Sequence, residues 1–78
     1  MVEQSSGLDR AFKALADPTR RSIIAALAQA DQSVSRLAEP HEMSLAAVSK
    51  HVGILAGAGL IHRTKLGREQ VCSLDRDR

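Results

Sequence analysis

Hydrophobic residues recur every three or four positions up to about residue 58, a spacing that is typical of amphipathic helices. The first group predicts a helix that follows a polar leader ending at Gly7. Its apolar positions are Leu8, Ala11, Phe12 and Leu15. A second helix is predicted from Pro18 to about Gln29, because Asp17 is a good N-cap and proline fits the first helical position. Its inward-facing residues are Ile23, Ile24 and Leu27.

The middle of the chain predicts two more helices joined by a short connection. Ser33 is placed to cap a short third helix, which Pro40 ends. Its inward-facing residues are Val34, Leu37 and Ala38. Ser44 is placed to cap a fourth helix, whose core stripe consists of Val48, Val52 and Leu55. The opposite face of that helix is small and basic, with Ala46, Ser49, Lys50 and Gly53.

The spacing changes after Gly59, which is expected to cap the fourth helix in a left-handed conformation with Leu60 folded back on it. Residues 61–65 and 69–74 predict two short strands, separated by a glycine turn at residues 66–68. A helical domain that ends in a basic hairpin is typical of a winged helix-turn-helix, mainly α with a two-stranded wing. We expect this domain to cover residues 8–74, between a flexible leader (1–7) and a polar tail (75–78).

Composition restricts the class of protein. A chain of 78 residues forms one domain at most, and with Phe12 as its single aromatic it is expected to fill its core with aliphatic side chains rather than enclose a cofactor. The apolar stretch at residues 23–30 is too short to span a membrane. One cysteine, Cys72, cannot form an intramolecular disulfide, so a reducing cytoplasm is the expected compartment.

The net charge of +2 says little about the binding partner, but the distribution of charge along the chain indicates where a partner could bind. Residues 43–68 contain four basic residues and no acidic residue, whereas residues 1–42 and 69–78 each carry one more acidic than basic residue. The basic residues of this acid-free block are Lys50, Arg63, Lys65 and Arg68. Since they fall on the fourth helix and the hairpin, double-stranded DNA is the expected partner.

Three segments together resemble the ArsR/SmtB family of bacterial winged-helix repressors. They are residues 14–21 (ALADPTRR), 44–52 (SLAAVSKHV) and 58–61 (AGLI), and the resemblance covers about residues 8–74. Membership implies a homodimer whose fourth helix enters the major groove and whose wings touch the flanking backbone or minor groove. It also implies release from the operator when an effector binds, and many members sense metals or arsenic through cysteine, histidine and carboxylate ligands.

The sequence departs from this family pattern in three places. Residues 33–39 (SVSRLAE) lack the cysteines that metal-sensing members carry in helix three, so no thiolate site is expected there. Leu45 and Ala46 replace the amide and hydroxyl side chains that often begin the recognition helix, which leaves apolar contacts such as thymine methyl groups. The C-terminal helix that usually pairs with helix one across the dimer is not in this chain, so we expect weak dimerisation through Leu8, Ala11, Phe12 and Leu15.

The candidate DNA contacts lie on the fourth helix and the hairpin. They are Ser44, Leu45, Ala46, Ser49, Lys50, His51, Arg63, Lys65 and Arg68. Ser44 is expected to be mainly a helix cap, and a solvated face is the alternative interpretation for the lysines and arginines. His51 is equally consistent with a half-buried structural hydrogen bond and with a phosphate contact. Arg20 and Arg21 oppose the dipole of their own helix, which predicts a compensating partner such as Asp17 or a phosphate.

No enzyme is indicated, because the chain has no glycine-rich phosphate loop, no supported cysteine–histidine pair and no close carboxylate pair. His41, His51, His62 and Cys72 are too scattered to predict a metal site, and Cys72 is interpreted as a small hydrophobic residue. No cofactor is expected, and the sequence identifies no effector. A winged helix that binds protein instead of DNA is the alternative, favoured by the apolar residues Leu45, Ala46, Ala47 and Ala56.

Overall fold

The computed structural model describes residues 2–76 of the chain, with the side-chain surroundings of residues 7–76. Within this range it contains four helices and three strands. The helices are α1 (Val2–Leu15), α2 (Pro18–Gln29), α3 (Val34–Ala38) and α4 (Leu45–Gly57), and the strands are β1 (Gln32–Ser33), β2 (Ile61–Leu66) and β3 (Glu69–Leu74). The predicted winged helix-turn-helix is confirmed. No helix in the described range is both long and apolar enough to cross a bilayer.

The first helix begins earlier than the sequence pattern predicts. α1 starts at Val2, so the expected boundary at Gly7 is wrong: the leader is helical from residue 2 onward. The glycine inside this helix costs only about 1 kcal/mol relative to alanine, which does not prevent the helix from forming. Met1 and the last two residues of the expected polar tail, 77 and 78, lie outside the described residues.

The two ends of α4 follow from local sequence. Ser44 has an extended backbone (φ −67°, ψ 156°), and its hydroxyl accepts a hydrogen bond of 3.1 Å from the Ala47 N–H. At the other end Gly59 has φ 77°, and the Leu60 N–H donates to the Leu55 carbonyl at 3.0 Å. These are the bonds of a Schellman cap, as the sequence predicts.

The sheet is antiparallel and contains one strand that the sequence pattern did not predict. Its order is β1-β3-β2, so the hairpin is extended by the two residues of β1, where a simple break was expected. β1 pairs Gln32 with Cys72 and Ser33 with Val71. The hairpin turn is also shorter than expected, because Leu66 belongs to β2 and pairs with Glu69.

The core is aliphatic and lies between the helices and the base of the sheet. Its buried members are Ala14, Ile23, Leu27, Val34, Leu37, Val48, Val52, Leu55, Ile61 and Cys72. The predicted stripe of α4 is fully buried, and Cys72 is packed as a small hydrophobic residue. Ile24 and Ala38 are half-buried against this cluster. This packing fixes α4 against the rest of the domain and leaves its opposite face in solvent.

Candidate nucleic-acid interface

The exposed face of α4 presents the candidate residues of the recognition helix. Ala46 and Lys50 are exposed, and Leu45 at the start of the helix exposes 53% of its surface. Ser49 is half-buried on the side that turns toward the wing. The Ser44 hydroxyl accepts the Ala47 N–H, so it caps the helix as expected, and its O–H can still donate to a partner. The helix therefore offers one cation and several small or apolar side chains to a partner.

An open groove joins the start of α4 to the wing. It is lined by Val34, Ser35, Leu45, Ser49, Arg68, Glu69 and Gln70. The fold thus brings together three candidates that are far apart in sequence, namely Leu45, Ser49 and Arg68. Ser35 and Gln70 were missed by sequence reasoning, since nothing in their local pattern indicates that α3 and β3 reach this groove. Glu69 places one acidic side chain in the same groove.

The basic residues of the wing lie on one side of the hairpin. Directly paired residues of an antiparallel sheet share a face, so Arg63 shares a face with Cys72, and Lys65 with Gln70. The Arg63 guanidinium lies against α4, with Nη1 3.8 Å from the position that a Cβ on Gly53 would occupy. Both Arg63 and Lys65 are exposed. The inner side of the wing is therefore cationic and borders the recognition helix.

The turn of the hairpin carries the last candidate cation. Gly67 has φ 63°, a left-handed conformation that suits glycine in a two-residue turn, and the next residue is the exposed Arg68. Leu66, on the other side of the turn, exposes 60% of its surface. The tip thus combines an arginine and a leucine, both accessible to a partner.

His51 lies at the junction of α2 and α4 rather than on the open face of α4. Its Nδ1 atom is 3.2 Å from Arg20 Nη1 and 4.0 Å from Asp17 Oδ2, and its side chain is 19% exposed. The sequence left open a half-buried structural hydrogen bond and a phosphate contact. In the structure His51 makes the first of these, with Arg20 as its partner. A phosphate contact by His51 would have to use the ring edge that faces away from Arg20.

Arg20 and Arg21 bind the last carbonyl groups of α1. Arg20 donates from Nε to the Ala14 carbonyl at 2.7 Å and from Nη2 to the Lys13 carbonyl at 3.1 Å. Arg21 donates from Nη1 to the Leu15 carbonyl at 2.8 Å. These carbonyls belong to the last turn of α1, where i+4 amide partners run out, so the two arginines cap the helix, and their positive charge suits the negative end of its dipole. The compensating partner is thus chiefly a helix C-terminus, a possibility that sequence reasoning missed.

Asp17 completes this junction. Its Oδ2 accepts from the Arg20 N–H at 3.0 Å, which confirms the predicted N-cap. That hydrogen bond is the main cause that lowers the pKa of the Asp17 carboxyl; desolvation opposes it, and the charges of Arg20 and His51 add to it.

The proposed dimer residues of α1 are only partly used within one chain. Leu8 and Phe12 expose 57% and 63% of their surfaces, whereas Ala11 and Leu15 are half-buried. Among residues 7–15 of this helix, Ala14 is the one that is fully buried, and it faces the core from another side. An apolar face on α1 is consequently open to a second surface.

The described residues contain no group of three or more histidine, cysteine, aspartate or glutamate side chains placed to hold a metal ion. His62 Nε2 lies 3.6 Å from Asp75 Oδ1 at the base of the wing. Burial raises the pKa of the Cys72 thiol, and the nearby charge of Arg63 only partly opposes this effect. A buried thiol with a raised pKa is a poor metal ligand and a poor nucleophile.

Comparison with known proteins places these features in a wider group. A family model described as a helix-turn-helix domain matches residues 15–64. The HTH-type transcriptional regulator Rv2034 of Mycobacterium tuberculosis is 42% identical over 67 residues, which are 86% of this chain and 63% of that protein. The transcriptional repressor SdpR of Bacillus subtilis is 34% identical over 61 residues, 78% of this chain and 68% of the repressor.

Two solved structures are similar over most of the chain. The crystal structure of the ArsR family transcriptional regulator RHA00566 has a TM-score of 0.88 and 38% identity, with 92% of this chain and 79% of that chain covered. The solution structure of a homodimeric winged helix-turn-helix DNA-binding domain, fragment 1–100 of Mb0332 from Mycobacterium bovis, has a TM-score of 0.90 and 26% identity, covering 97% and 70%. The chain thus spans between 63% and 79% of the length of these four proteins, and less than two thirds of Rv2034.

Proposed function

Because the chain belongs to the ArsR family of winged helix-turn-helix transcriptional regulators, we propose that it binds specific double-stranded DNA as a homodimer and represses transcription. The observation that carries this proposal is the groove between α4 and the wing, which unites Leu45, Ser49 and Arg68 from separate parts of the chain. Such a groove beside an exposed helix face matches the way helix-turn-helix proteins read a duplex. The expected compartment is the bacterial cytoplasm, where the DNA is.

The residues divide by what they can contact. Lys50 and Ser49 on α4 can reach base edges and adjacent phosphates once the helix enters the major groove. Leu45 and Ala46 can offer only apolar contacts, so sequence-dependent DNA shape supplies part of the specificity. Arg68 at the wing tip reaches phosphate or the minor groove. Arg63 on β2 adds a second positive charge beside α4. Ser35 and Gln70 join this set, since they line the same groove.

The open apolar face of α1 supports self-association. Leu8 and Phe12 are large and more than half exposed, and a second copy of the same helix would cover them. A two-fold dimer presents two recognition helices, which explains why a near-palindromic operator is expected. The thiolate site in helix three that metal-sensing members use is not part of the proposal, because residues 33–39 hold no cysteine.

The decisive experiment is selection of bound sequences from random duplexes by the purified chain at fixed salt. We expect related half-sites about one helical turn apart, and loss of enrichment in Lys50→Ala. Lys13→Ala is the matched control, since Lys13 is an exposed helical lysine on α1 and keeps the carbonyl that Arg20 uses. Failure of the wild-type chain to enrich any sequence would favour the protein-binding alternative, for which the exposed Leu45 and Leu66 are the relevant surface.

A further inference from the structure

One arginine connects three helices of the domain. The Arg20 side chain, on α2, holds the carbonyls of Lys13 and Ala14 at the end of α1 and also lies 3.2 Å from His51 Nδ1 on α4. A guanidinium has its donors in a rigid planar fork, so a group bound at one position fixes the direction of the others. The contact to His51 therefore relates the direction of α4 to the end of α1.

The hydrogen bond requires one particular state of the histidine. Arg20 is a donor with no acceptor atom and carries its charge at all relevant pH values. His51 Nδ1 must therefore be the acceptor, which requires the neutral ring with its proton on Nε2. Protonation puts a hydrogen on Nδ1 and a second positive charge beside the guanidinium. The protonated ring would instead be attracted to the Asp17 carboxylate, whose Oδ2 lies 4.0 Å from Nδ1 in the structure.

We propose that Arg20 and His51 form a positioning contact that sets the recognition helix relative to α1, and that this contact exists only while His51 is uncharged. The inference rests on the proposed function, because it gives the orientation of α4 a consequence for DNA. In a dimer formed through α1, the direction of α4 relative to α1 sets how the two recognition helices are spaced. Discrimination between operator and random DNA depends on that spacing, whereas non-specific attraction to phosphates does not.

The other charged groups around α4 have separate partners or lie elsewhere. From the side of α2, the groups facing His51 are Asp17 and Arg20. On α3, Arg36 Nε lies 3.8 Å from Glu39 Oε1, and from the sheet, Arg63 approaches α4 at Gly53. From α1, the Lys13 carbonyl accepts a hydrogen bond from Arg20 at 3.1 Å. Protonation of His51 thus acts first on the two side chains within 4.0 Å.

Two substitutions of His51 separate positioning from simple stability. In His51→Asn the amide oxygen takes the place of Nδ1 and can accept from Arg20, but it does not titrate. In His51→Gln the amide lies farther out, near the place of Nε2. Glutamine is the better helix former, so a purely structural role predicts that His51→Gln is the milder change. The positioning role predicts the reverse order for DNA discrimination.

The measurement is the ratio of affinities for the selected operator and a random duplex, compared at about pH 8 and at about pH 5.5. The wild-type ratio should fall roughly three- to tenfold on acidification, which corresponds to the typical net contribution of one hydrogen bond. His51→Asn should keep the high ratio at both pH values, and His51→Gln should have the low ratio throughout. The double variant His41→Gln/His62→Gln leaves His51 as the chain's single histidine and should respond as the wild type does. Circular dichroism at each pH reports whether every variant is folded.

Three results would overturn the inference. They are an equal pH response in His51→Asn and wild type, an undiminished ratio in folded His51→Gln, and loss of the response in the double variant. A wild-type chain that selects an operator but gives any of these results leaves the proposed function intact. A wild-type chain that selects no operator at any pH contradicts the proposed function itself, and this inference with it.

Discussion

Arg63 and Cys72 lie directly opposite each other on β2 and β3, yet the arginine is exposed and the cysteine is completely buried. Cross-strand partners share a face, so the boundary between core and solvent crosses the wing at this pair. Below it Ile61 is buried, and above it Lys65 is exposed. The wing is thus anchored in the core at its base and presents cations along the rest of the same face.

The position of Cys72 predicts low reactivity. Its burial removes the thiol from solvent and raises its pKa, so the reactive thiolate is scarce in the folded protein. We expect a disulfide reagent to modify native protein roughly a hundredfold more slowly than protein in denaturant, because reaction requires local opening. Stopped-flow absorbance with an aromatic disulfide measures both rates. Similar rates in the two conditions would show that the thiol is accessible and would contradict its burial.

The chain is also expected not to be a thiolate-type metal sensor. Stoichiometric zinc, cadmium or arsenite should leave its affinity for the selected operator unchanged, because helix three offers no cysteine and Cys72 alone cannot complete a site. Titration of each ion into a fluorescent operator complex checks this. Release of DNA at one equivalent of metal would be contrary to the expectation, and its persistence in Cys72→Ala would direct attention to the histidines.

Substitutions in the wing and in α4 should affect DNA binding in different ways. Arg68→Ala should weaken binding to operator and random duplex alike, and should reduce the slope of log affinity against log salt by about 0.9 for each lost phosphate contact. Ser49→Ala should instead narrow the gap between operator and random DNA, by roughly 1 to 3 kcal/mol. Salt titrations of both variants on both duplexes separate these effects. Equal slopes and unchanged discrimination in both variants would remove the groove from the DNA interface.

The apolar face of α1 predicts an effect on association without a large effect on folding. Phe12 exposes 63% of its surface in the single chain, so Phe12→Ser should alter the free energy of unfolding of the monomer little while it shifts the equilibrium toward monomer. Leu66→Ser is the matched control, since Leu66 is exposed to a similar extent, 60%, but lies on the wing tip. Sedimentation equilibrium at micromolar concentration compares them. An equal shift in both variants would contradict the assignment of α1 as the interface.

The junction at Asp17 predicts an acid-sensitive contribution to stability. The hydrogen bond from the Arg20 N–H lowers the pKa of this carboxyl in the folded state. Stability from the charged form is therefore present above the ordinary value, about 3.9, and is lost as the pH falls through the lower folded-state value. Asp17→Asn keeps an N-cap acceptor but does not titrate, so its melting temperature should fall less than the wild-type value between about pH 5 and about pH 2.5. Parallel acid dependence of the two proteins would count against this.

Local chemistry explains which parts of the fold could be predicted from sequence. The ends of α4 depend on Ser44 and Gly59, whose partners lie within five residues, so the sequence predicts them correctly. β1 depends on pairing with Val71 and Cys72, about forty residues away, and two residues are too few to produce a periodic signal.

The candidate site shows the same limit. A helical wheel places His51 between the buried and exposed faces of α4 and cannot choose its partner, because that partner is Arg20, 31 residues earlier. Ser35 and Gln70 reach the groove only through the packing of α3 and β3. The charges of the acid-free block could be predicted from composition, but the groove that unites them with these residues could not.

The cap that ends α4 has a mechanical consequence. Three residues connect Gly57 to Ile61, and the Asp75 N–H closes the base of the wing by donating to the Leu60 carbonyl at 3.0 Å. The short link and this hydrogen bond therefore hold the wing at a fixed distance and angle from α4. We therefore expect one inserted residue in this link to move the wing away from the position in which it would contact a duplex. In the proposed dimer, differences in operator spacing would be accommodated by movement between the two protomers and not by movement of the wing relative to α4.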